Sequence, residues 1–270
     1  MVAKRDQKHK LISIIIPAYR QEKTILKDVR RVEGVLKQLK RSYEIIIVID
    51  GMVDKTYLNA KKVESGNIKV VGYKNNHGKG YAIRYGIVRS KGSIVGFIDS
   101  GMDINPNGLR LLIESFEKEN ADIAIGSKRH PQSKVNYPLL RRAISFLSQI
   151  WIKTLFGLYV RDTQVGLKFF RRQVLEDVAP RLLVKRFAFD IEILVVAYHL
   201  GYKKIFEVPV ELDYNFSASN VSQNLLRAIG RTLWDTMAIF YRLKILHYYD
   251  NGAKRKWKYD PELNFRINVR

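Results

Sequence analysis

Two carboxylates, Asp99 and Asp103, follow directly on the apolar run of "GFIDSGMDINP", with Gly101 midway between them. Asp103 and Asn105 can cap a helix beginning near Pro106, a reading that leaves Asp99 unexplained. Two more acidic groups stand at comparable places. In "VIDGMVDKT" Asp50-Gly51 makes a turn and Asp54 can cap the next helix, and in "IIPAYRQEKTI" Glu22 follows Pro17 and Tyr19 where a strand gives way to a helix. Each stretch has an adequate local explanation. Local explanations do not account for three strands that all deliver carboxylates to one edge of one sheet. A fourth stretch, "NNHGKGYAIRYG", sets Lys79 between Gly78 and Gly80 before a helix. Its spacing matches neither a P-loop nor a dinucleotide fingerprint, but a glycine-flanked lysine at a helix start suits an anion.

The elements that must position these residues follow from periodicity. Leu11–Tyr19, Tyr43–Ile49, Ile68–Tyr73, Ser93–Ile98 and Ala121–Ser127 are apolar on both faces, as buried and mostly parallel strands should be. Between them, residues 24–39, 54–65, 81–90 and 107–119 have helical spacing. This is βαβ repetition, which predicts an α/β sheet covered by helices, with ligands at the carboxyl ends of the strands. The second half predicts a long helix with the stripe Leu140, Ile144, Leu147, Trp151, Leu155 and Leu158. Helices in "RQVLEDVAPRLL" and "AFDIEILVVAYHLGY", a strand in "KKIFEVPVEL" and a last helix striped by Leu226, Ile229, Leu233, Met237 and Phe240 follow. The stretch "RDTQVGLKFFRR" reads as a loop that precedes a short strand. The tail after Tyr249 is basic and reads as mobile.

Composition narrows the partner. The 270 residues hold 48 Lys and Arg against 26 Asp and Glu, a net charge of +22, so the partner is anionic: nucleic acid, lipid head groups or a phosphorylated substrate. No nucleic-acid motif occurs, which argues against the first. With no cysteine, disulfides and thiolate metal sites are excluded, which fits a reducing compartment or a thermophile's avoidance of labile residues; a cytoplasmic protein is expected from the charged N-terminus. The N-terminus lacks the apolar region of a signal peptide, and no apolar run approaches the roughly 18 residues of a spanning helix, so membrane contact is expected to be peripheral.

The ordered series Pro17-Ala18-Tyr19 with Glu22, Asp50-Gly51 with Asp54 and Thr56, Gly78-Lys79-Gly80, Asp99, "IGSKR", "DTQVGLKFF" and "FDIEIL…LGYKKIFEVPV" resembles family 2 glycosyltransferases, over about Leu11 to Leu212. It looks most like the branch acting on dolichyl or polyprenyl phosphate. The resemblance implies a GT-A fold, a nucleotide-sugar donor and inversion at the anomeric carbon. It further implies that Pro17, Tyr19, Glu22 and Asp50 line the nucleoside site, that Lys79 approaches the base or its phosphates, and that Asp99 holds Mg²⁺ or Mn²⁺ against the diphosphate. Asp103 is the expected second metal donor, or else the helix cap. Asp162 and Gln164 are expected at the sugar or its phosphates, and Asp190 is offered as a carboxylate on the catalytic face. The sequence departs from the family pattern at Ile49, Met52 and Gly101.

By the same resemblance the cluster Lys128, Arg129, Arg141 and Arg142 would hold the acceptor's phosphate, to which arginine forks are matched. A lipid phosphate is already anionic and attacks without losing a proton, whereas a sugar hydroxyl would need a base. The expected reaction is therefore hexose transfer from UDP-glucose, or GDP-mannose second, to a polyprenyl (dolichyl) phosphate. UDP-glucose comes first because "DTQVGLKFF" is closer to the glucosyl branch. Transfer to a glycan hydroxyl, and a non-catalytic regulatory relative, are the alternatives. Residues 1–215 would form the catalytic domain. Residues 216–270, where Arg231, Arg242, Lys244, Trp234 and Tyr241 accompany the last stripe, would lie on an anionic membrane surface.

Overall fold

The computed structural model describes residues 11–135, 139–212, 225–252, 256–261, 263 and 265–269. Seven strands form one sheet in the order β3-β2-β1-β4-β6-β5-β7: β1 (Ile12–Ala18), β2 (Tyr43–Asp50), β3 (Ile68–Tyr73), β4 (Ile94–Ile98), β5 (Ile123–Ser127), β6 (Leu167–Arg171) and β7 (Ile205–Pro209). The β-branched runs expected to be strands are strands. β1 is buried at every position, as a strand covered on both faces must be. The helices α1 (Ile25–Gln38), α2 (Thr56–Lys61), α3 (Lys79–Arg89) and α4 (Gly108–Lys118) connect the parallel strands.

β6 pairs antiparallel with both β4 and β5, inside a sheet otherwise parallel. It lies within the stretch read from sequence as a loop before a strand, so that reading was displaced by several residues. Its direction has a consequence for the site: β6 begins at the edge where β1, β2, β4 and β5 end. Leu167 is paired with Ile98, and residues 162–166 therefore arrive beside Asp99.

The remaining helices are α5 (Leu139–Phe156), α6 (Arg172–Val178), α7 (Phe189–His199) and α8 (Leu225–Phe240), the last continuing into a π-helical turn at Tyr241–Ile245. α7 is buried from Phe189 to Ala197; its Phe189 ring lies 6.4 Å from that of Phe97 on β4, and its Asp190 meets Lys168 on β6. α5 and α8 lie together, with the rings of Phe156 and Phe240 6.3 Å apart. Their expected stripes do not all face the core. α8 buries Thr236 and Ile239, the turn after it buries Leu243, and Leu233 and Met237 are exposed. On α5, Ile152 and Phe156 are buried, and Phe146, Leu147 and Ile150 are exposed. The tail is not simply a basic extension, since β8 (Lys256–Asp260) and β9 (Phe265–Val269) form an antiparallel hairpin. Among the described residues no helix is long and apolar enough to cross a membrane.

Candidate active site

The carboxyl edge of the sheet gathers the expected residues. β1 ends at Ala18, opposite Ile49, so Tyr19 and Glu22 come off beside Asp50, the last residue of β2. Pro17 is buried within β1, and Tyr19 is half-exposed with the Arg20 guanidinium 5.2 Å from its ring centre. Glu22 accepts the Lys55 N–H at 3.2 Å, and its carbonyl accepts the Asn59 amide at 2.8 Å. Asp54 takes the Thr56 N–H at 2.9 Å, the capping role that composition alone suggested.

Asp50 is buried, and its carboxylate is filled by its own surroundings. It accepts from the Tyr73 hydroxyl at 2.9 Å, the Asn76 amide at 2.8 Å, and the N–H groups of His77 and Gly78 at 2.7 and 2.9 Å. Those bonds shape the turn that presents Lys79. Asp50 thus acts on the cleft edge through this turn, its own oxygens being taken.

Asp99 follows β4, its N–H donating to the Gly166 carbonyl at 2.9 Å. A Cβ at position 166 would stand 2.2 Å from its Oδ2, so only glycine lets the two strands approach this closely here. Gly101 has φ near 87° and donates its N–H to Asp28 on α1 at 3.0 Å. The residue between the two carboxylates is a glycine because the turn bends through the left-handed region, whatever the site binds. Asp28 was not expected in this role. Burial raises its pKa above the ordinary value, and the bond from Gly101 opposes that rise.

Behind Asp99 lies a buried chain of alternating charge. Lys79 Nζ sits 2.8 and 2.9 Å from the two Asp99 oxygens and 2.7 Å from Asp190 Oδ2. Asp190 Oδ1 takes a 2.5 Å bond from Lys168 Nζ, which also donates to the Val165 carbonyl. Asp190 is 2% exposed and Lys168 not at all. Burial pushes the Lys79 ammonium down, but Asp190 and Asp99 together outweigh it and hold its pKa above the ordinary lysine value. For Asp190 burial acts upward and is overcome by Lys168 and then Lys79, so it stays ionised below the usual carboxylate range. For Lys168 burial wins, with Lys79 pushing the same way, and its pKa is lowered. Lys79, expected at the base or phosphates, here braces two carboxylates; Asp190, offered for the catalytic face, lies one layer beneath Asp99.

In front of Asp99 a cleft is lined by Ser100, Asp103, Lys128, Gln164 and Leu212. Asp162 is buried at its margin: one oxygen accepts the Lys128 N–H at 3.1 Å with Lys128 Nζ 3.6 Å away, and the other accepts the Gln164 N–H at 3.2 Å. It positions the two residues that reach the cleft. Arg129 donates to the Ser145 carbonyl at 3.2 Å and lies over Phe146. The side chains of Arg141 and Arg142 lie outside the described residues.

The oxygen donors Asp99 and Asp103 line one cleft and suit a hard cation; Lys79 Nζ already lies within 2.9 Å of both Asp99 oxygens, so an ion there would share that carboxylate with the lysine. Among the described residues no three acidic, histidine or cysteine side chains form a cage. Two carboxylates alone would leave the rest of an ion's shell to substrate oxygens and water, which Mg²⁺ accepts.

Residues 13–179 match the family described as glycosyl transferase family 2. The chain is 32% identical over 207 residues to a dolichyl-phosphate beta-glucosyltransferase of Dictyostelium discoideum, an alignment covering 70% of this chain and 63% of that protein. It is 31% identical over 238 residues to the enzyme so named in Homo sapiens, covering 78% of this chain and 69% of the relative. The chain thus spans less than two thirds of the Dictyostelium protein's length. Among solved structures, mannosyl-3-phosphoglycerate synthase from Rubrobacter xylanophilus superposes with a TM-score of 0.68 at 15% identity, over 98% of this chain and 87% of that one. Glucosyl-3-phosphoglycerate synthase from Mycobacterium tuberculosis, crystallised with Mn²⁺, uridine diphosphate and phosphoglyceric acid, superposes with a TM-score of 0.64 at 19% identity, over 96% and 87%. These likenesses agree with the α/β, GT-A arrangement of sheet and helices.

Proposed function

Because this chain belongs to glycosyl transferase family 2, we propose that it moves glucose from UDP-glucose to a polyprenyl (dolichyl) phosphate, with inversion at the anomeric carbon. The observation that carries this reading is the cleft in which Asp99, Asp103, Lys128 and Gln164 converge at the carboxyl edge of the sheet. The nucleoside lies against Tyr19 and the turn built on Asp50, and Gln164 contacts the donor sugar. Asp99, with Asp103 as second donor, would hold a Mg²⁺ or Mn²⁺ ion, which supplies charge neutralisation at the departing diphosphate. Lys128, with Arg129, Arg141 and Arg142, receives the acceptor phosphate. An oxygen of that phosphate forms the new bond to the anomeric carbon as the bond to the diphosphate breaks, and no base is required because the nucleophile is already ionised. The placement of Asp190 favours this acceptor over a hydroxyl: held between Lys79 and Lys168, it is an anchor for Lys79 rather than a proton acceptor.

The exposed apolar residues support a membrane-surface location. Phe146, Leu147 and Ile150 on α5 and Leu233, Trp234 and Met237 on α8 face solvent on helices that touch each other. A cytoplasmic-face location suits a chain with no cysteine.

The test is to incubate the protein with labelled UDP-glucose or GDP-mannose and polyprenyl phosphate and to extract the lipid. Label from UDP-glucose is expected in the organic phase, reduced about 10²-fold or more by Asp99→Asn or by EDTA. Failure of both nucleotide sugars to label the lipid would sink the reading, and transfer that survives both Asp99→Asn and EDTA would remove the metal from it.

A further inference from the structure

Two buried carboxylates leave α7 only two residues apart, about 200° around the helix axis, and so face in nearly opposite directions. Asp190 braces Lys79. Glu192, with none of its surface exposed, faces the C-terminal segment. It accepts the Leu183 and Val184 N–H groups at 3.0 and 2.8 Å and the Tyr249 hydroxyl at 2.6 Å. Arg242 stands 3.5 Å from the same carboxylate and donates from Nε to the Tyr249 oxygen at 3.0 Å. Tyr249 is itself fully buried, and its carbonyl accepts from Arg181 at 3.2 Å.

The peptide that Glu192 holds leads straight back to the active site. One residue past Val184, the Lys185 carbonyl accepts the Gly80 N–H at 2.8 Å, in the first turn of α3. The neighbouring Lys79 grips Asp99 and Asp190. Hydrogen bonds and adjacent peptide units alternate along a path that joins Tyr249, Glu192, residues 183–185, the start of α3 and Asp99. Asp50 holds the same turn from the other side, through His77 and Gly78.

We infer that Glu192 and Tyr249 are positioning residues: the C-terminal segment completes the cradle that fixes the Lys79 turn, and through it Asp99, in register. The segment with the exposed aromatic residues is then part of the frame of the active site. A carboxylate buried with this many partners is held by all of them together, and removing one loosens a hydrogen-bonded unit. Small displacements of a positioning group are costly to rate because reacting atoms must meet in a narrow geometry. This inference rests on the proposed transfer reaction for its kinetic arm only.

The test uses the full chain with Tyr249→Phe, which keeps the ring and removes the hydroxyl. Amide hydrogen exchange is expected to quicken roughly tenfold in residues 77–82 and 183–186, as for loss of one bond to a charged acceptor. Transfer of glucose to polyprenyl phosphate is expected to lose about tenfold in kcat with little change in KM for UDP-glucose. Glu192→Gln, which keeps one acceptor for the two amides, is expected to show the same pattern at smaller size and serves if the tyrosine variant folds poorly. Tyr202→Phe removes another hydroxyl–carboxylate bond, to Asp177, and is expected to leave both readouts unchanged. Loosening confined to residues 241–252, or a fall in rate without faster exchange at 77–82 and 183–186, overturns the inference. If the unaltered protein transfers no glucose, the proposed reaction fails and the exchange pattern alone decides this point.

Discussion

Lys168, the second residue of β6, has none of its side chain exposed, and its ammonium meets Asp190 and the Val165 carbonyl. In the sequence it is the lysine of "LKFF", one charge in an apolar run, and nothing in its spacing distinguishes it from a residue at a strand edge. Its role depends on a partner 22 positions away, which periodicity cannot reveal. Asp99 was legible for the opposite reason, because a carboxylate at the end of a buried strand has no local explanation. Asp50 was legible in place and not in task, since the contacts that fill its carboxylate come from the turn at 76–78. The buried chain makes a residue-scale prediction. Lys168→Met leaves Asp190 with only one of its two cations and the Val165 carbonyl without its ammonium donor. Breaking a buried ion pair from one side costs about 3–5 kcal/mol. For a chain of this size that is a fall in melting temperature on the order of 10 °C, measured by a thermal melt. A shift under about 2 °C would show that the chain of charges contributes little to stability.

At the scale of elements, the parallel strands and the helices between them were legible because burial on both faces writes a continuous apolar run into each strand. β6 was not, because it is short, antiparallel and divided by Lys168, and the family motif that contains it suggested a loop. The stripes on α5 and α8 were legible as helices, but periodicity alone does not say which side of a helix has a neighbour. α8 packs through Thr236 and Ile239 and leaves Leu233, Trp234 and Met237 outside. Removing residues 225–270 would not isolate the exposed face, since it also takes away Tyr249 and Arg242 and leaves the buried Glu192 carboxyl without them. Substitution of the outward residues is the cleaner experiment. Trp234 and Tyr241 are 77% and 51% exposed, so Trp234→Ser with Tyr241→Ser should leave the melting temperature within a degree or two. If the face lies in a head-group interface, each large side chain contributes about 1.5 kcal/mol, and the pair should weaken binding to vesicles by on the order of 10²-fold. Unchanged co-sedimentation would move the membrane contact elsewhere on the protein.

The whole molecule carries a charge of +22, and charge of this size acts over distances longer than any single contact. The buried chain at the active site uses two lysines against two carboxylates, so it is neutral as a unit and contributes nothing to the excess. The surplus must therefore act at the surface, where it either gathers acceptor and membrane or binds polyanions without selectivity. The two cases differ in how they respond to salt. Near an anionic surface each Lys or Arg contributes about 1 kcal/mol, an attraction that fades within a Debye length of about 10 Å at 0.1 M salt and 3 Å at 1 M. The apolar residues on α5 and α8 are not screened in this way. Binding to vesicles containing anionic lipid should therefore fall steeply between about 0.05 and about 0.5 M salt, over which the Debye length shrinks about threefold, and level off at a residue of salt-resistant binding. Neutral vesicles should show only that resistant part, and in the Trp234→Ser, Tyr241→Ser protein it should be weaker by on the order of 10²-fold. Binding of duplex DNA should collapse over the same range without a plateau, because it has only the phosphate term. A plateau for DNA, or equal binding to neutral and anionic vesicles at low salt, would show that the excess charge serves another partner than an anionic membrane.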